Sequence, residues 1–175
     1  MERTVVIYKT KYGATERYAK WIGEELDCPV ISADDFNKKD FDLYDNIIYG
    51  GGVHAGGLKG FDLIKKNMRR LEGKKIVTFA VGLNVMDTET RMQFREINFD
   101  KPNVKRMTCY YCCGAFDPLK VTGIDKLIIG MMVSMIESKP YTEITENDKK
   151  LLDAVKNGAD MVDRKYIEPI IAEFK

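Results

Sequence analysis

Thr10-Lys11-Tyr12-Gly13-Ala14-Thr15 brings two hydroxyls, a glycine and a run of backbone N–H groups to one short loop. Val5 to Tyr8 ahead of it reads as an apolar strand, and Ala14 to Leu26 behind it as an amphipathic helix with Tyr18, Ile22 and Leu26 on one stripe. A helix N-terminus presents unpaired N–H groups and the positive end of a dipole, which suits an anion. Gly13 permits the backbone angles that let successive N–H groups converge. The chemistry indicated is the cradling of one phosphate; the plainer alternative is an ordinary turn with a threonine cap. Neither common nucleotide signature is present: there is no Gly-x-Gly-x-x-Gly here and no Gly-Lys-Ser/Thr ending.

Two further loops carry unusual residues. Gly50-Gly51-Gly52-Val53-His54-Ala55-Gly56-Gly57 holds five glycines in eight residues and the only histidine of the chain. Gly82-Leu83-Asn84-Val85-Met86-Asp87 follows a later apolar segment. Each alone reads as turn chemistry. Glycines also allow close backbone approach to a flat ligand, and all three loops follow segments that read as strands. His54 is either a solvated loop residue or a group facing the ligand.

Those segments alternate with helical patterns. Strands are expected at Val5–Tyr8, Pro29–Ser32, Asn46–Tyr49, Lys75–Val81 and Val104–Cys113. Helices are expected at Ala14–Leu26, from about Lys59 to Leu71, near Thr88 to Ile97 and from Asp148 to about Tyr166, the last covering the sheet; Asp34 to Asp42 is a polar connection. Such alternation specifies an α/β architecture, a doubly wound parallel sheet covered on both faces. In open sheets of this kind ligands bind beyond the carboxyl ends of the strands, near the point where strand order reverses.

The chain has 175 residues and 45% hydrophobic content, enough for one substantial core, and residues 1–175 read as a single domain. Lys and Arg number 28 against 27 Asp and Glu, a net charge of +1, which gives no reason to expect nucleic-acid binding. Glu2 and Arg3 lead directly into a strand, so no signal peptide is read and a cytoplasmic location is expected. Four cysteines do not form a disulfide framework in a chain of this class. Cys109, Cys112 and Cys113 lie in a strand-like run with no second ligand pair, so buried structural thiols are expected and no metal site.

The carboxyl-terminal third departs from a minimal sheet domain. Leu127-Ile128-Ile129-Gly130-Met131-Met132-Val133-Ser134-Met135-Ile136 contains no charge, yet at ten residues it is half the length needed to span a bilayer. As a helix it is apolar nearly all round. It reads either as a buried core helix or as an exposed Met-rich surface that docks an apolar substrate, a partner or a membrane face through 124–136.

Thr10-Lys-Tyr-Gly-Ala-Thr15, placed at the first strand-to-helix turn, resembles the Thr-x-Thr/Tyr-Gly-x-Thr phosphate loop of flavodoxins. That resemblance implies a five-stranded sheet in the order 2-1-3-4-5 and FMN as cofactor. It places the phosphate at Thr10, Lys11, Tyr12, Gly13, Ala14 and Thr15. The flavin ring falls at Gly51, Gly52, Val53, His54, Ala55 and Gly56 and at Gly82, Leu83, Asn84 and Val85. Flavodoxins commonly stack an aromatic residue on the ring; neither ring loop here has one, so an uncovered ring face open to a substrate or quinone is expected.

The whole chain is similar to the flavodoxin-domain branch that includes the oxygen-independent, quinone-linked protoporphyrinogen IX dehydrogenase. The likeness rests on the phosphate loop, on Gly50 to Gly56, and on Gly114-Ala115-Phe116 followed by Asp125-Lys126 and the apolar helix, with an added segment at about 115–140. It implies an oxidoreductase whose partners are a porphyrinogen or a quinone; a flavodoxin-type electron carrier serving a redox partner protein is the alternative. Membrane association and homo-oligomerisation stay open. The chain departs from the branch at Leu119-Lys120-Val121-Thr122, which is much less basic than the approach to the added helix there. Its charge balance also departs from the strong acidity of carrier flavodoxins.

Overall fold

A computed structural model describes residues 2–175. In chain order the elements are β1 Thr4–Lys9, α1 Ala14–Leu26, β2 Val30–Ser32, β3 Asn46–His54, β4 Gly57–Leu58, α2 Asp62–Lys65, β5 Lys75–Gly82, α3 Thr88–Asn98, β6 Thr108–Cys113, β7 Ala115–Phe116, α4 Gly123–Glu137, α5 Glu146–Asn157, β8 Ala159–Asp160 and α6 Glu168–Ala172. The polar connection after β2 contains a 3₁₀ turn at Lys38–Leu43. No helix among the described residues is long and apolar enough to cross a membrane.

The parallel strands stand in the order β2-β1-β3-β5-β6, the 2-1-3-4-5 arrangement expected, with β4 attached to β3 as a short antiparallel addition. Strand alternation divides the core between two faces. Val5 and Ile7 of β1 join Phe41, Phe61, Ile64, Phe94 and Phe99 on one face. Val6 joins Tyr18, Ile22, Ile48, Phe79 and Ile170 on the other, beneath α1 and α6. Tyr18 is fully buried; its hydroxyl donates to the Cys113 carbonyl at 2.7 Å and accepts from the Asp163 N–H at 3.1 Å, tying α1, β6 and the C-terminal segment together.

Several elements differ from expectation, each for a physical reason. The glycine-rich stretch after Tyr49 is mostly strand: β3 runs on to His54, and Ala55 and Gly56, both at positive φ, turn the chain into β4. Gly50 and Gly51 pair within the sheet because glycine alone fits there, a Cβ on Gly50 falling 2.0 Å from the Phe79 ring. The helix expected from Lys59 to Leu71 is α only at Asp62–Lys65 and then continues as turns, although Phe61, Ile64 and Leu71 are buried as its pattern required. The strand expected from Val104 begins at Thr108, since Lys101 to Arg106 form turns that bury Val104.

The long last helix divides at Gly158, whose φ of +81° ends α5 after a capping box at Thr145 and Asp148. The sheet is covered by α6 through Ile167, Ile170 and Ile171, while α5 packs elsewhere. The segment expected at about 115–140 carries the apolar helix, α4, and together with α5 it belongs to a longer lobe, residues 117–158, that leaves and rejoins the body through the antiparallel ribbon of β7 and β8.

Because Gly50 abuts a ring held at the centre of the sheet, Gly50→Ala is expected to cost about 1–3 kcal/mol of overpacking. A urea denaturation curve checks this; an unchanged midpoint would show that Phe79 has room to turn aside.

Candidate functional site

Parallel register brings the ends of β1, β3 and β5 to one edge, where Lys9 pairs with Gly51 and Gly52 with Val81. A crevice of about 360 Å³ opens there, at the lower end of the range for small-molecule sites. Thr10, Lys11, Tyr12, Ala14 and Thr15 line it from the first loop; Gly52, Val53, His54 and Ala55 from the β3–β4 hairpin; Gly82, Leu83, Asn84 and Val85 from the end of β5. Three expected site residues lie off this surface. Gly13 faces a neighbouring polar groove. A Cβ on Gly51 would fall 2.8 Å from Leu58 and from the Lys59 carbonyl, and Gly56 forms the hairpin turn against Ile97.

The first loop is arranged as an anion site needs. Gly13 takes φ +93° at the N-cap of α1, and no side chain caps that terminus. Thr10 Oγ1 accepts the Gly13 N–H at 3.0 Å, which leaves its own O–H to donate. Thr15 is buried, with its Oγ1 3.7 Å from where a Cβ on Gly52 would stand. A Cβ at Gly52 would therefore stand in ordinary contact with Thr15 on the crevice wall.

The other loops are held from behind. Asn98, 4% exposed, accepts from the Leu58 N–H at 2.7 Å and donates to the Gly56 carbonyl at 2.8 Å, pinning the hairpin to α3. Asp87 caps α3 by accepting from the Thr90 N–H at 2.9 Å, and these backbone and hydroxyl bonds hold its carboxyl below the usual carboxylate range. Asn84 Nδ2 donates to Thr90 Oγ1 at 2.9 Å, and Arg91 Nε to the Val85 carbonyl at 2.6 Å. Asn98, Asp87 and Arg91 thus set loop conformation from outside the crevice, while Asn84 and Thr90 line it.

The lobe forms the remaining wall. Phe116, Ile128, Ile129, Met132, Leu151 and Val155 face the three loops across the crevice. The side of the crevice opposite the two expected ring loops is thus lined by the lobe, and the aromatic residues on the crevice, Phe116 and Tyr12, come from outside those two loops. The apolar helix is likewise more than a core helix. Its inward stripe lines the crevice, while Ile124, Leu127, Met131 and Met135 are 54–74% exposed on the opposite side.

One polar group interrupts the inward stripe. Asp125 is buried, and its carboxylate accepts from the Tyr12 hydroxyl, from Lys11 Nζ at 2.5 Å and from His54 Nε2 at 2.6 Å. Lys11, then Tyr12, hold its carboxyl below the usual range, against the opposing effect of burial. Lys11 is raised in turn by Asp125, so its ammonium serves α4 rather than pointing at the end of α1. Asp125 stood among the residues of the family likeness but had no place in the expected site. The available signal was spacing: Asp125, Ile128, Ile129, Met132 and Ile136 share one helical face, and a lone carboxylate among them needs a partner.

Cys28, Cys109, Cys112 and Cys113 are all free thiols; Cys112 and Cys113 are buried as expected, while Cys109 is only half-buried, and desolvation by its surroundings pushes its thiol up to about 11. No cluster of metal-ligating side chains occurs among the described residues.

A family model described as a flavodoxin domain matches residues 5–143. No curated protein matches the sequence significantly. Among solved structures, the chain is similar to a flavodoxin-type, WrbA-like protein from Agrobacterium tumefaciens, with 21% identity and a TM-score of 0.45 over 53% of this chain and 66% of that one, just under two-thirds of its length. It is also similar to a flavodoxin from the domain Archaea, with 15% identity and a TM-score of 0.43 over 88% of this chain and 96% of that one. A Fusobacterium nucleatum flavodoxin bound to flavin mononucleotide matches with 16% identity and a TM-score of 0.43, over 62% of this chain and 68% of that one.

A depressed folded-state pKa means that Asp125 stabilises the fold when ionised, above its unfolded value of about 3.9, and that this contribution disappears as pH falls through the folded value. The stability difference between wild type and Asp125→Asn is therefore expected to be largest near neutrality and to shrink below about pH 4. Chemical denaturation at a series of pH values reads it. A constant difference would mean that the carboxylate's charge contributes nothing.

Proposed function

The chain belongs to the flavodoxin-domain family, and from that premise we propose that its crevice binds FMN and that the protein is an FMN-dependent oxidoreductase acting on an apolar, quinone-class acceptor. The residues present fit the cofactor. The uncapped α1 terminus, the left-handed Gly13 and the hydroxyls of Thr10 and Thr15 form a donor set for a dianionic phosphate. Val53, Ala55, Leu83 and Val85 offer apolar contact to a flat ring, with the hairpin and the 82–85 loop bringing backbone to its edge. When bound, FMN supplies the electron-accepting chemistry, and the protein supplies binding, orientation and electrostatics.

The observation that carries the oxidoreductase reading is the lobe. A carrier that passes electrons to a protein partner needs its ring edge near the surface, commonly within an acidic rim. Here Ile128, Ile129, Met132, Leu151 and Val155 set an apolar wall along the crevice, opposite the three loops. An uncharged acceptor suits those walls better than a porphyrinogen, whose propionates call for cations: Lys11 is already committed to Asp125, which leaves Lys59 as the other lysine on the crevice. The outward apolar stripe of α4 adjoins the same lobe, and it supplies a surface where an acceptor dissolved in a lipid phase would be met.

Titration of the apoprotein with FMN, followed by flavin absorbance and fluorescence, tests the cofactor. Thr10→Ala with Thr15→Ala is expected to weaken affinity on the order of 100-fold, since each hydroxyl bonds a charged group; unchanged affinity sinks the phosphate-loop assignment. Met132→Lys places a charge on the apolar wall and is expected to depress quinone turnover while FMN affinity stays within about threefold. Equal loss of both would return the inward face of α4 to a purely structural role.

A further inference from the structure

Asp125 has more partners than anchoring α4 requires. Holding a helix against the body takes one cation, and Lys11 provides it. The additional bond to His54 Nε2 acts on the imidazole itself. A carboxylate only accepts, so Nε2 carries the hydrogen, and in the neutral ring Nδ1 becomes the acceptor that is left. His54 lines the crevice at the tip of a hairpin pinned by Asn98, and its side chain is 36% exposed, so the ring is held from two sides yet open to exchange. The other ionisable groups around it are Lys11 and Tyr12 from the first loop and Lys59 beyond β4.

Resting on the function proposed above, we propose that Asp125 is a positioning residue: it fixes His54 so that Nδ1 exchanges a proton with the acceptor in the crevice. Reducing a quinone to a hydroquinone requires a hydride equivalent and a proton. Bound FMN in its reduced form would supply the hydride equivalent; the acceptor's carbonyl oxygen takes the proton from Nδ1 of the imidazolium, forming an O–H bond as the N–H bond breaks. The neutral imidazole that remains keeps its hydrogen on Nε2, bonded to Asp125, and regains the proton from solvent through its exposed edge.

The chain has a single histidine, which makes the test unambiguous. Proton NMR of the apoprotein is expected to show a protected, low-field imidazole N–H resonance in the wild type that is absent in Asp125→Ala. Its absence from the wild type, or its persistence in Asp125→Ala, overturns the positioning role. His54→Gln keeps an N–H donor for Asp125 and so keeps α4 docked, but carries no transferable proton. In the FMN-loaded protein it is expected to lower kcat for quinone reduction on the order of 100-fold, to flatten the pH profile, and to leave KM and FMN affinity within about threefold. An unchanged kcat, or a loss explained entirely by weaker FMN binding, reduces Asp125 to a brace. A protein that shows the Asp125-dependent resonance yet takes up no flavin overturns the functional reading and the proton transfer with it. The side-chain bond would still stand, so the two failures are told apart.

Discussion

Parallel pairing of β1, β3 and β5 is the constraint from which the site follows. Strands that run the same way must all end on one edge, so the three chain reversals after them are brought together whatever their residues. Register then decides what meets. With Tyr8 opposite Gly50 and Gly50 opposite Phe79, the first loop, the hairpin and the 82–85 segment reach the same height. A slip of one residue in any pair would turn the core faces inside out, so burial of Val5, Val6, Ile47 and Ile48 on alternating sides guards the geometry of the crevice.

Two kinds of interaction then finish the site. Behind the loops, Asn98, Asp87 and Arg91 satisfy backbone groups that a mobile loop would expose to water. In front of them, a single buried carboxylate binds the lobe to both the first loop and the hairpin. Ion pairs at the surface, such as Lys66 with Asp62, contribute little, whereas charge-assisted bonds to a buried acceptor are worth more and depend on every partner being present. Any ligand contact that moves Tyr12 or His54 therefore also reaches α4.

The sheet was legible because short apolar segments, loops and helices alternate at a period that local chemistry enforces. The loop from Thr10 to Thr15 was legible because hydroxyls and a glycine stand between an apolar strand and a helical pattern, and the glycine there does take a left-handed conformation. The hairpin was harder. Gly50 to Gly57 has the composition of a loop, and only the Phe79 ring and the Leu58 side chain, both distant in sequence or chain direction, explain why glycine belongs in a strand there. The division of the last helix was marked by Gly158, but the ribbon of β7 and β8 joins residues some forty apart, beyond the reach of periodicity. Asp125 combined both difficulties: its burial was legible from its helical face, its partners were not.

The ribbon also has a consequence for how the chain acquires its structure. Residues 117–158 leave and return at adjacent points, with the Met161 N–H bonded to the Gly114 carbonyl at 3.1 Å just outside the ribbon. A segment whose ends meet can stay disordered while the rest of the molecule closes, because the body needs only its two stems in place. The sheet, α1 and α6 bury their own cores without a side chain from α4 or α5. The core of the body is therefore complete without the lobe, whereas the crevice is complete only with it.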